Sequence, residues 1–218
     1  MKDGEISEAM AILTAAVKGW QTPAVTIVSQ RECDPFKVLI SCILSLRTQD
    51  KTTAAASARL FSLAGTPAIM GALPLETIER AIYPVGFYRV KAAQIKDICR
   101  LLLEKYGARV PDEIDELLTF KGVGRKTANL VVTLGYGKPG ICVDTHVHRI
   151  CNRWGYVRTK TPEQTEFVLR GKLPHEYWLV INDLLVTFGQ NQCFPISPRC
   201  STCPLFHLCD RVGVNKSR

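Results

Sequence analysis

Long apolar runs, strand-like alternation and internal repeats are all absent from this sequence of 218 residues. A helix that crosses a bilayer needs roughly 20 apolar residues in succession, and no run in the sequence reaches that length. The first ten residues, MKDGEISEAM, also lack the pattern of a signal peptide. Apolar residues recur at helical spacing and do not alternate convincingly at period two. We therefore expect an all-α protein that contacts no membrane.

Positive charge and cysteine are both abundant. Lys and Arg number 28 against 20 Asp and Glu, which gives a net charge of +8 and favours a polyanionic partner. Nine cysteines without a signal peptide indicate a reducing compartment, where they serve as thiols or metal ligands rather than disulfides. Five of them stand mostly among apolar residues and are predicted to be small buried hydrophobes: Cys33, Cys42, Cys99, Cys142 and Cys151.

Capping residues predict several helix boundaries. Asp34 followed by Pro35 predicts the start of a helix that is apolar on almost all sides, and is therefore central and buried. Residues 175–188 are predicted to form the last long helix, ended by Gly189.

Two glycines separated by one residue, Gly122 and Gly124, come directly before Arg125 and Lys126. We expect a helix over residues 126–134 after them, and a short helix over residues 112–118, capped by Asp112, before them. Glycine permits positive φ and close approach of a ligand, and the free amides at a helix N-terminus bind anions. This helix, hairpin and helix predict a site for a nucleic-acid phosphate, with an ordinary tight turn as the alternative.

Four cysteines lie within a short tail that contains proline and few apolar residues: Cys193, Cys200, Cys203 and Cys209. Such a segment usually needs a cross-link to hold its structure. Four thiolates can bind either Zn²⁺ or an iron–sulfur cluster. Structural zinc usually shows two Cys-x2-Cys pairs, and only one is present, so the spacing predicts a metal site and leaves the metal open. His146 and His148 do not share a helix face, so we expect no metal there.

The run from Gly122 to Asn129, the Val143-Asp-Thr-His146 motif and the 6-2-5 cysteine spacing resemble the endonuclease III family, within the iron–sulfur branch of helix–hairpin–helix DNA glycosylases. The likeness covers about residues 35–209. It implies two helical domains with a DNA cleft between them. Residues 28–138 would form a six-helix domain that carries the hairpin, and residues 1–27 with 139–218 a domain in which the four tail cysteines bind a [4Fe–4S] cluster.

The resemblance also implies a bifunctional DNA glycosylase and AP lyase that removes oxidised pyrimidines in base excision repair. The expected partner is double-stranded DNA with a damaged base or an abasic site. We further expect a monomer in the cytoplasm, beside the chromosome of a bacterium or archaeon.

In the family, Lys126 would be the nucleophile that attacks C1′ of the deoxyribose and forms a Schiff base, followed by β-elimination. Asp144 would stabilise positive charge on the sugar and aid proton transfer. The chemistry agrees, because an amine nucleophile must be neutral and a helix N-terminus beside Arg125 disfavours its charged form. A carboxylate also suits an oxocarbenium-like sugar. Taken alone, Lys126 can be a phosphate-binding lysine and Asp144 a helix cap.

The resemblance also assigns DNA contacts. Gly122, Gly124 and neighbouring amides would bind a phosphate beside Arg125, and Arg199 would face the backbone from the cysteine tail. Three positions bear on substrate choice: Lys121 replaces the family's usual proline, Arg47 replaces a glutamine that fills the gap left by the flipped nucleotide, and Phe87 stands at the apolar wedge.

Two rival functions differ from this expectation. An adenine-mismatch glycosylase of the same superfamily usually lacks the lysine found at 126 and carries a further C-terminal domain. A non-enzymatic DNA-binding protein with a cluster or zinc would not require both Lys126 and Asp144.

Overall fold

The computed structural model describes residues 1–20, 23–32 and 34–218. Within those ranges the chain forms α-helices, short 3-10 helices and one π-helical turn, and no β-strand. The helices are α1 (Ile6–Ala16), α2 (Ala24–Glu32), α3 (Pro35–Ser45), α4 (Asp50–Leu63), α5 (Pro67–Ala72), α6 (Leu75–Ile82), α7 (Tyr88–Lys105), α8 (Ile114–Leu118), α9 (Arg125–Leu130), α10 (Thr145–Arg153), α11 (Pro162–Lys172) and α12 (Ile181–Asn191). The expected all-α fold is confirmed. Among the described helices, none is both long and apolar enough to cross a bilayer.

The chain divides into two compact units. One consists of Ala24–Lys138, and the other combines Met1–Pro23 with Pro139–Arg218. All of α2 belongs to the first unit, whereas the expected domain boundary after residue 27 would divide that helix. The assignment of folding domains stays a prediction. In the part that the structure describes, Ala24–Lys138 contains the eight helices α2 to α9, where six were expected.

Helix α3 forms the centre of the unit Ala24–Lys138. It begins at Pro35 because the side chain of Asp34 accepts hydrogen bonds from the amides of Phe36 and Lys37, at 2.9 and 3.4 Å. Every residue from Val38 to Leu44 is buried, and α2, α4, α7 and α9 pack against this helix. The predicted capping and burial of the central helix are both confirmed.

The helices that flank the hairpin differ in detail from the prediction. Helix α8 begins at Ile114, and Asp112 forms a 2.9 Å ion pair with Lys138 instead of capping it. The predicted Asp112 cap is therefore wrong, because the ammonium of a residue distant in sequence binds that carboxylate. After α9, the chain widens into a π-helical turn over Val131–Gly135. Within that turn, the hydroxyl of Thr133 donates to the carbonyl of Asn129 at 2.8 Å.

The other unit packs α1, α10, α11 and α12 around a core whose largest fully buried side chains are Trp154, Tyr156 and Phe188. The predicted helix over residues 175–188 is wrong in its limits. A 3-10 turn spans His175–Tyr177, and α12 runs from Ile181 through Gly189 to Asn191. Gly189 lies inside the helix, and a Cβ there would lie 2.2 Å from Nδ1 of His146, so close packing rather than helix termination accounts for glycine at this position.

Four of the five cysteines outside the tail are buried, as predicted: Cys42, Cys99, Cys142 and Cys151. Burial raises the pKa of the Cys42, Cys99 and Cys151 thiols to about 12, so these groups stay protonated and act as small hydrophobes. Cys33 lies outside the described residues.

Candidate active site and nucleic-acid interface

The hairpin between α8 and α9 is built on Gly122. This residue has φ +78°, a conformation that favours glycine, and the side chain of Gln94 packs close to it, with Nε2 only 2.4 Å from the position of a Cβ. Gly124 precedes α9 with extended backbone, φ −99° and ψ 176°, and no heavy atom lies within 4 Å of a Cβ built there. Glycine at 124 therefore leaves the start of α9 open to a close ligand.

The inner side of the hairpin is fixed to the rest of its own unit, Ala24–Lys138. Gln94 on α7 donates from Nε2 to the carbonyl of Lys121 at 2.8 Å. The amide of Val123 donates to the carbonyl of Phe120 at 2.9 Å, and the Phe120 ring is buried against Tyr106, with 5.6 Å between ring centroids. Lys121 itself is exposed. The hairpin thus combines a positively charged outer face with a buried anchor.

Lys126 is the second residue of α9 and is half-buried, as is Arg125 beside it. Burial dominates the pKa of the Cys42 thiol, and the positive charge of Lys126 acts in the opposite direction. The ammonium therefore lies near the central helix α3. The side chain of Asn129 donates to the carbonyl of Arg125 at 3.0 Å, which closes the first turn of α9 from within.

Asp144 caps α10 and is buried. Its Oδ1 accepts hydrogen bonds from the amides of His146 and Val147, at 2.8 and 2.9 Å. The capping interpretation of Asp144 is thus confirmed. Because the cap uses Oδ1, a further role for Oδ2 is compatible with it. Asp144 and Lys126 belong to different compact units.

The structure brings Arg47 and Phe87 together. The guanidinium carbon of Arg47 lies 5.8 Å from the centre of the Phe87 ring. Both residues are exposed, and both have positive φ, 52° for Arg47 and 58° for Phe87. An aromatic ring that is 62% exposed beside a cation is suited to contact bases.

Sequence reasoning missed two polar side chains beneath these surfaces, Gln94 under the hairpin and Lys91 under the Arg47 loop. Lys91 is only 5% exposed. A signal was present, because Lys91 shares one helical stripe with Ile95, Ile98 and Leu102, all of them buried. A lysine on an apolar stripe needs acceptors inside the fold.

All four tail cysteines line one small cavity: Cys193, Cys200, Cys203 and Cys209. Burial and, to a lesser extent, charge on the other three sulfurs raise the pKa of the Cys203 thiol to about 11, although a hydrogen bond from the Leu205 amide lowers it. The same two causes raise the pKa of Cys209. The structure therefore brings the four predicted ligands together.

The polar groups around that cavity suit thiolates. A guanidinium nitrogen of Arg153 lies 3.4 Å from Sγ of Cys193, and the amide of Arg211 lies 3.4 Å from Sγ of Cys209. N–H donors aimed at sulfur stabilise its charged form. Over the described residues, no three His, Cys, Asp or Glu side chains form a group that could hold a single metal ion.

Arg199 is exposed on the same tail. Its guanidinium carbon lies 5.3 Å from the centre of the Phe194 ring, and its carbonyl accepts a 2.6 Å hydrogen bond from the side chain of Gln192. The main chain at Arg199 is therefore held by the end of α12 while its charged group faces outward.

Comparison with known proteins assigns the chain to a family. Residues 40–175 match the HhH-GPD superfamily base excision DNA repair protein family. Endonuclease III of Thermotoga maritima is 48% identical over 182 residues, which cover 84% of this chain and 85% of that protein. The chain belongs to the endonuclease III family.

Another bacterial relative and a solved structure agree with this assignment. Endonuclease III of Bacillus subtilis is 40% identical over 186 residues, 85% of this chain and 84% of that protein. The structure of a trapped covalent intermediate between endonuclease III and DNA, an estranged-adenine complex, matches with a TM-score of 0.85 and 34% identity over 97% of each chain. The family resemblance drawn from the hairpin, Asp144 and the cysteine spacing is confirmed.

Proposed function

We propose that this chain is a bifunctional DNA glycosylase and AP lyase that removes oxidised pyrimidines from duplex DNA in base excision repair. The observation that carries the proposal is Lys126, half-buried in the first turn after a glycine hairpin, in a chain whose fold matches an endonuclease III joined covalently to DNA. A covalent intermediate requires a nucleophile, and a lysine amine forms Schiff bases with sugar carbons.

In the proposed reaction, the neutral amine of Lys126 attacks C1′ of the damaged nucleotide. The bond from C1′ to the base breaks, and the base leaves with the electron pair and takes up a proton. The attached nitrogen loses a proton, the bond from C1′ to the ring oxygen opens, and the oxygen is protonated, which leaves a Schiff base. Loss of a proton from C2′ then expels the 3′ phosphate, and this β-elimination cuts the strand.

Asp144 has a different part in the proposal. Breaking the bond to the base develops positive charge on the sugar, and a carboxylate stabilises such charge when it is held in place beforehand. The two amide hydrogen bonds to Oδ1 support this part, because they fix the orientation of the carboxylate. The expected DNA cleft between the two units stays a prediction.

The surfaces around the hairpin and the tail would bind the DNA backbone, and the protein would act as a monomer. Amides of Gly122 and Gly124 would bind a phosphate, assisted by the charge of Lys121 and Arg125, with Arg199 at a second phosphate. The target nucleotide would be flipped out of the duplex. Arg47 would fill the gap that it leaves, and Phe87 would part the opposite strand.

We further infer that the four tail cysteines hold a [4Fe–4S] cluster rather than zinc. In such a cluster each thiolate binds a different iron, so the sulfurs stand around a volume instead of meeting at one point. Four cysteines that share one cavity support the cluster. When bound, it would cross-link the tail and hold Arg199 in place.

Trapping on an abasic site tests the enzymatic proposal. With borohydride present, the wild-type protein should become linked to a duplex that contains an abasic site. Lys126→Gln should abolish both linkage and strand cleavage while it retains DNA binding, because the variant lacks the amine. Lys121→Gln, on the same hairpin, is the matched control and should still become linked at saturating protein. If Lys126→Gln links at near wild-type yield, the nucleophile is another residue.

A further inference from the structure

Lys91 joins the end of α3 to the start of α7. Its Nζ donates to the carbonyl of Leu44 at 2.9 Å, to that of Leu46 at 2.5 Å, and to the hydroxyl of Thr48 at 3.2 Å. A lysine ammonium has three N–H donors and no acceptor, so each donor has one partner. The partners flank Arg47, and the ammonium therefore holds both ends of the loop that presents it.

The same contacts reach the loop that presents Phe87. The hydroxyl of Thr48 accepts a 3.2 Å hydrogen bond from the amide of Gly86. A Cβ on Gly86 would stand 2.7 Å from the carbonyl oxygen of Arg47, so the two loops touch along their main chains. The amide of Lys91 donates to the carbonyl of Phe87 at 3.1 Å. The ammonium of Lys91 therefore binds the Arg47 loop directly and reaches the Phe87 loop through Thr48.

Both loops hold an unfavourable backbone conformation. Arg47 and Phe87 lie in the left-handed region, with φ 52° and 58°. For residues other than glycine this region is unfavourable and persists only where the surroundings enforce it. The hydrogen bonds of Lys91 and Thr48 are contacts that enforce it.

A charged side chain at position 91 is costly to bury, so its hydrogen bonds must offset that cost. Burial disfavours the charged ammonium and lowers the pKa of Lys91 to about 8, and its hydrogen-bond partners are two carbonyls and a hydroxyl, none of them acidic. The neighbouring positions of the same stripe, Ile95 and Ile98, are apolar. An apolar side chain at position 91 would avoid that cost but would leave the carbonyls of Leu44 and Leu46 without this donor. We therefore attribute the lysine at this position to its hydrogen bonds, which fix the geometry of the Arg47 loop.

We propose that Lys91 is a positioning residue for lesion recognition, which holds the Arg47 and Phe87 loops as one rigid element against the duplex. This inference rests on the proposed function, since the two loops contact DNA only if the protein acts on a flipped nucleotide. An abasic site in single-stranded DNA has no opposite strand to part and no gap to fill. Loss of Lys91 should therefore affect duplex substrates and spare single-stranded ones.

The test compares two lysines of α7. Lys91→Met keeps most of the side-chain length and removes the three donors. Lys96→Met is the matched control, because Nζ of Lys96 also donates to main-chain carbonyls, those of Gly71 and Leu73, at the end of α5. The measurement is the single-turnover rate of strand cleavage at one abasic site, in duplex and in single-stranded DNA.

Lys91→Met should cleave the duplex ~10–100-fold more slowly, the size of effect expected when a reacting group is misplaced by about 1 Å. Its rate on the single strand should stay within about two-fold of the wild type, and Lys96→Met should change neither rate by more than that. In an Arg47→Gln, Phe87→Ala background, Lys91→Met should have a much smaller effect, because coupled residues are not additive. Equal losses on duplex and single strand, or in both lysine variants, would overturn the proposal.

Amide hydrogen exchange gives a readout that does not depend on activity. In Lys91→Met, the amides of residues 46–48 and 85–87 should exchange faster together, while those of the hairpin should not. If Lys91→Met does not fold, Thr48→Val breaks the same link from the other side and should show the same pattern. A wild-type protein inactive on both DNAs would refute the proposed function; an active one in which neither variant loosens these loops would refute the role of Lys91 alone.

Discussion

The hairpin and the cysteine tail both present main chain and positive charge that we propose bind DNA, yet different forces hold them. The hairpin stands on apolar packing, with Phe120 only 1% exposed and α8 and α9 packed against each other. The tail, residues 192–218, follows the last helix, and its fully buried apolar side chain is Leu205. Its main chain is held by hydrogen bonds within the backbone and from side chains, as when Arg153 donates to the carbonyls of Phe194 and Pro195 at 2.5 and 2.6 Å.

The difference concerns what each region needs in order to stay folded. Apolar burial contributes about 25 cal/mol for each Å² removed from water and is present whenever the chain is folded. An intramolecular hydrogen bond replaces hydrogen bonds to water, so each one contributes only ~0.5–1.5 kcal/mol net. A segment that relies on such bonds therefore depends on a cross-link, and the four cysteines supply the ligands for one.

Removal of one of the four tail cysteines should give the largest difference between the tail and the hairpin. Cys203→Ala should lower the iron content from about four per chain to below about one and expose the tail to trypsin. The unit Ala24–Lys138 should stay resistant, because its core does not include the tail. DNA affinity should fall as Arg199 loses its support.

Cys99→Ala is the control, since it removes a thiol from the core of the other unit and should leave iron and tail protection unchanged. A Cys203→Ala protein with full iron and an intact tail would contradict the dependence on a cross-link. One zinc and no iron in wild-type protein purified without oxygen would contradict the cluster.

The same contrast explains what could be predicted from the sequence. Local signals were sufficient where the determining residues are neighbours in the chain. Asp34 caps the helix that starts at the next residue, and Gly122 has the positive φ of a hairpin glycine. The 6-2-5 spacing predicts that the four cysteines lie close together. They do share a cavity, even though their segment has no helical periodicity.

The failures all involve partners distant in sequence. Asp112 pairs with Lys138 instead of capping α8. Gly189 lies inside α12, where His146 packs against it, instead of ending the helix. Lys91 binds carbonyls more than forty residues earlier. Periodicity and capping rules describe local preference, and these contacts exist only after the helices have packed. Sequence reasoning located the candidate nucleophile and missed the residues that hold the surrounding loops.

The next largest difference should be in the rate of base release, when the aspartate that caps a helix is substituted in each unit. Asp144→Asn removes the charge but keeps an oxygen that can cap α10, since Asn and Asp are comparable caps. Base release should slow by about 10²–10³-fold, as when one electrostatic stabiliser is removed, with little change in melting temperature. Asp34→Asn makes the same change at the cap of α3 and should leave base release unaffected. Single-turnover rates and melting curves of both variants decide; equal slowing would leave Asp144 as a helix cap.

Arg47 offers the smallest and most specific test, because it concerns which base stands opposite the lesion. If Arg47 fills the gap left by the flipped nucleotide, its guanidinium meets the orphaned base. Guanine offers two acceptors, O6 and N7, whereas adenine offers N7 beside an N6 donor that arginine cannot satisfy. The contact with the Phe87 ring at 5.8 Å limits where the guanidinium can turn. We therefore expect faster action on a lesion opposite guanine than on the same lesion opposite adenine.

A good bidentate contact discriminates by ~1–3 kcal/mol, or roughly 5- to 150-fold in rate. Arg47→Gln should shrink that ratio, because glutamine has both a donor and an acceptor and can satisfy either base. Arg199→Gln is the matched control, since a phosphate contact carries no base information and its loss should slow both substrates equally. Single-turnover rates on one oxidised pyrimidine opposite G and opposite A separate the two kinds of contact. An equal loss on both pairings in Arg47→Gln would assign Arg47 to the DNA backbone, together with Arg199.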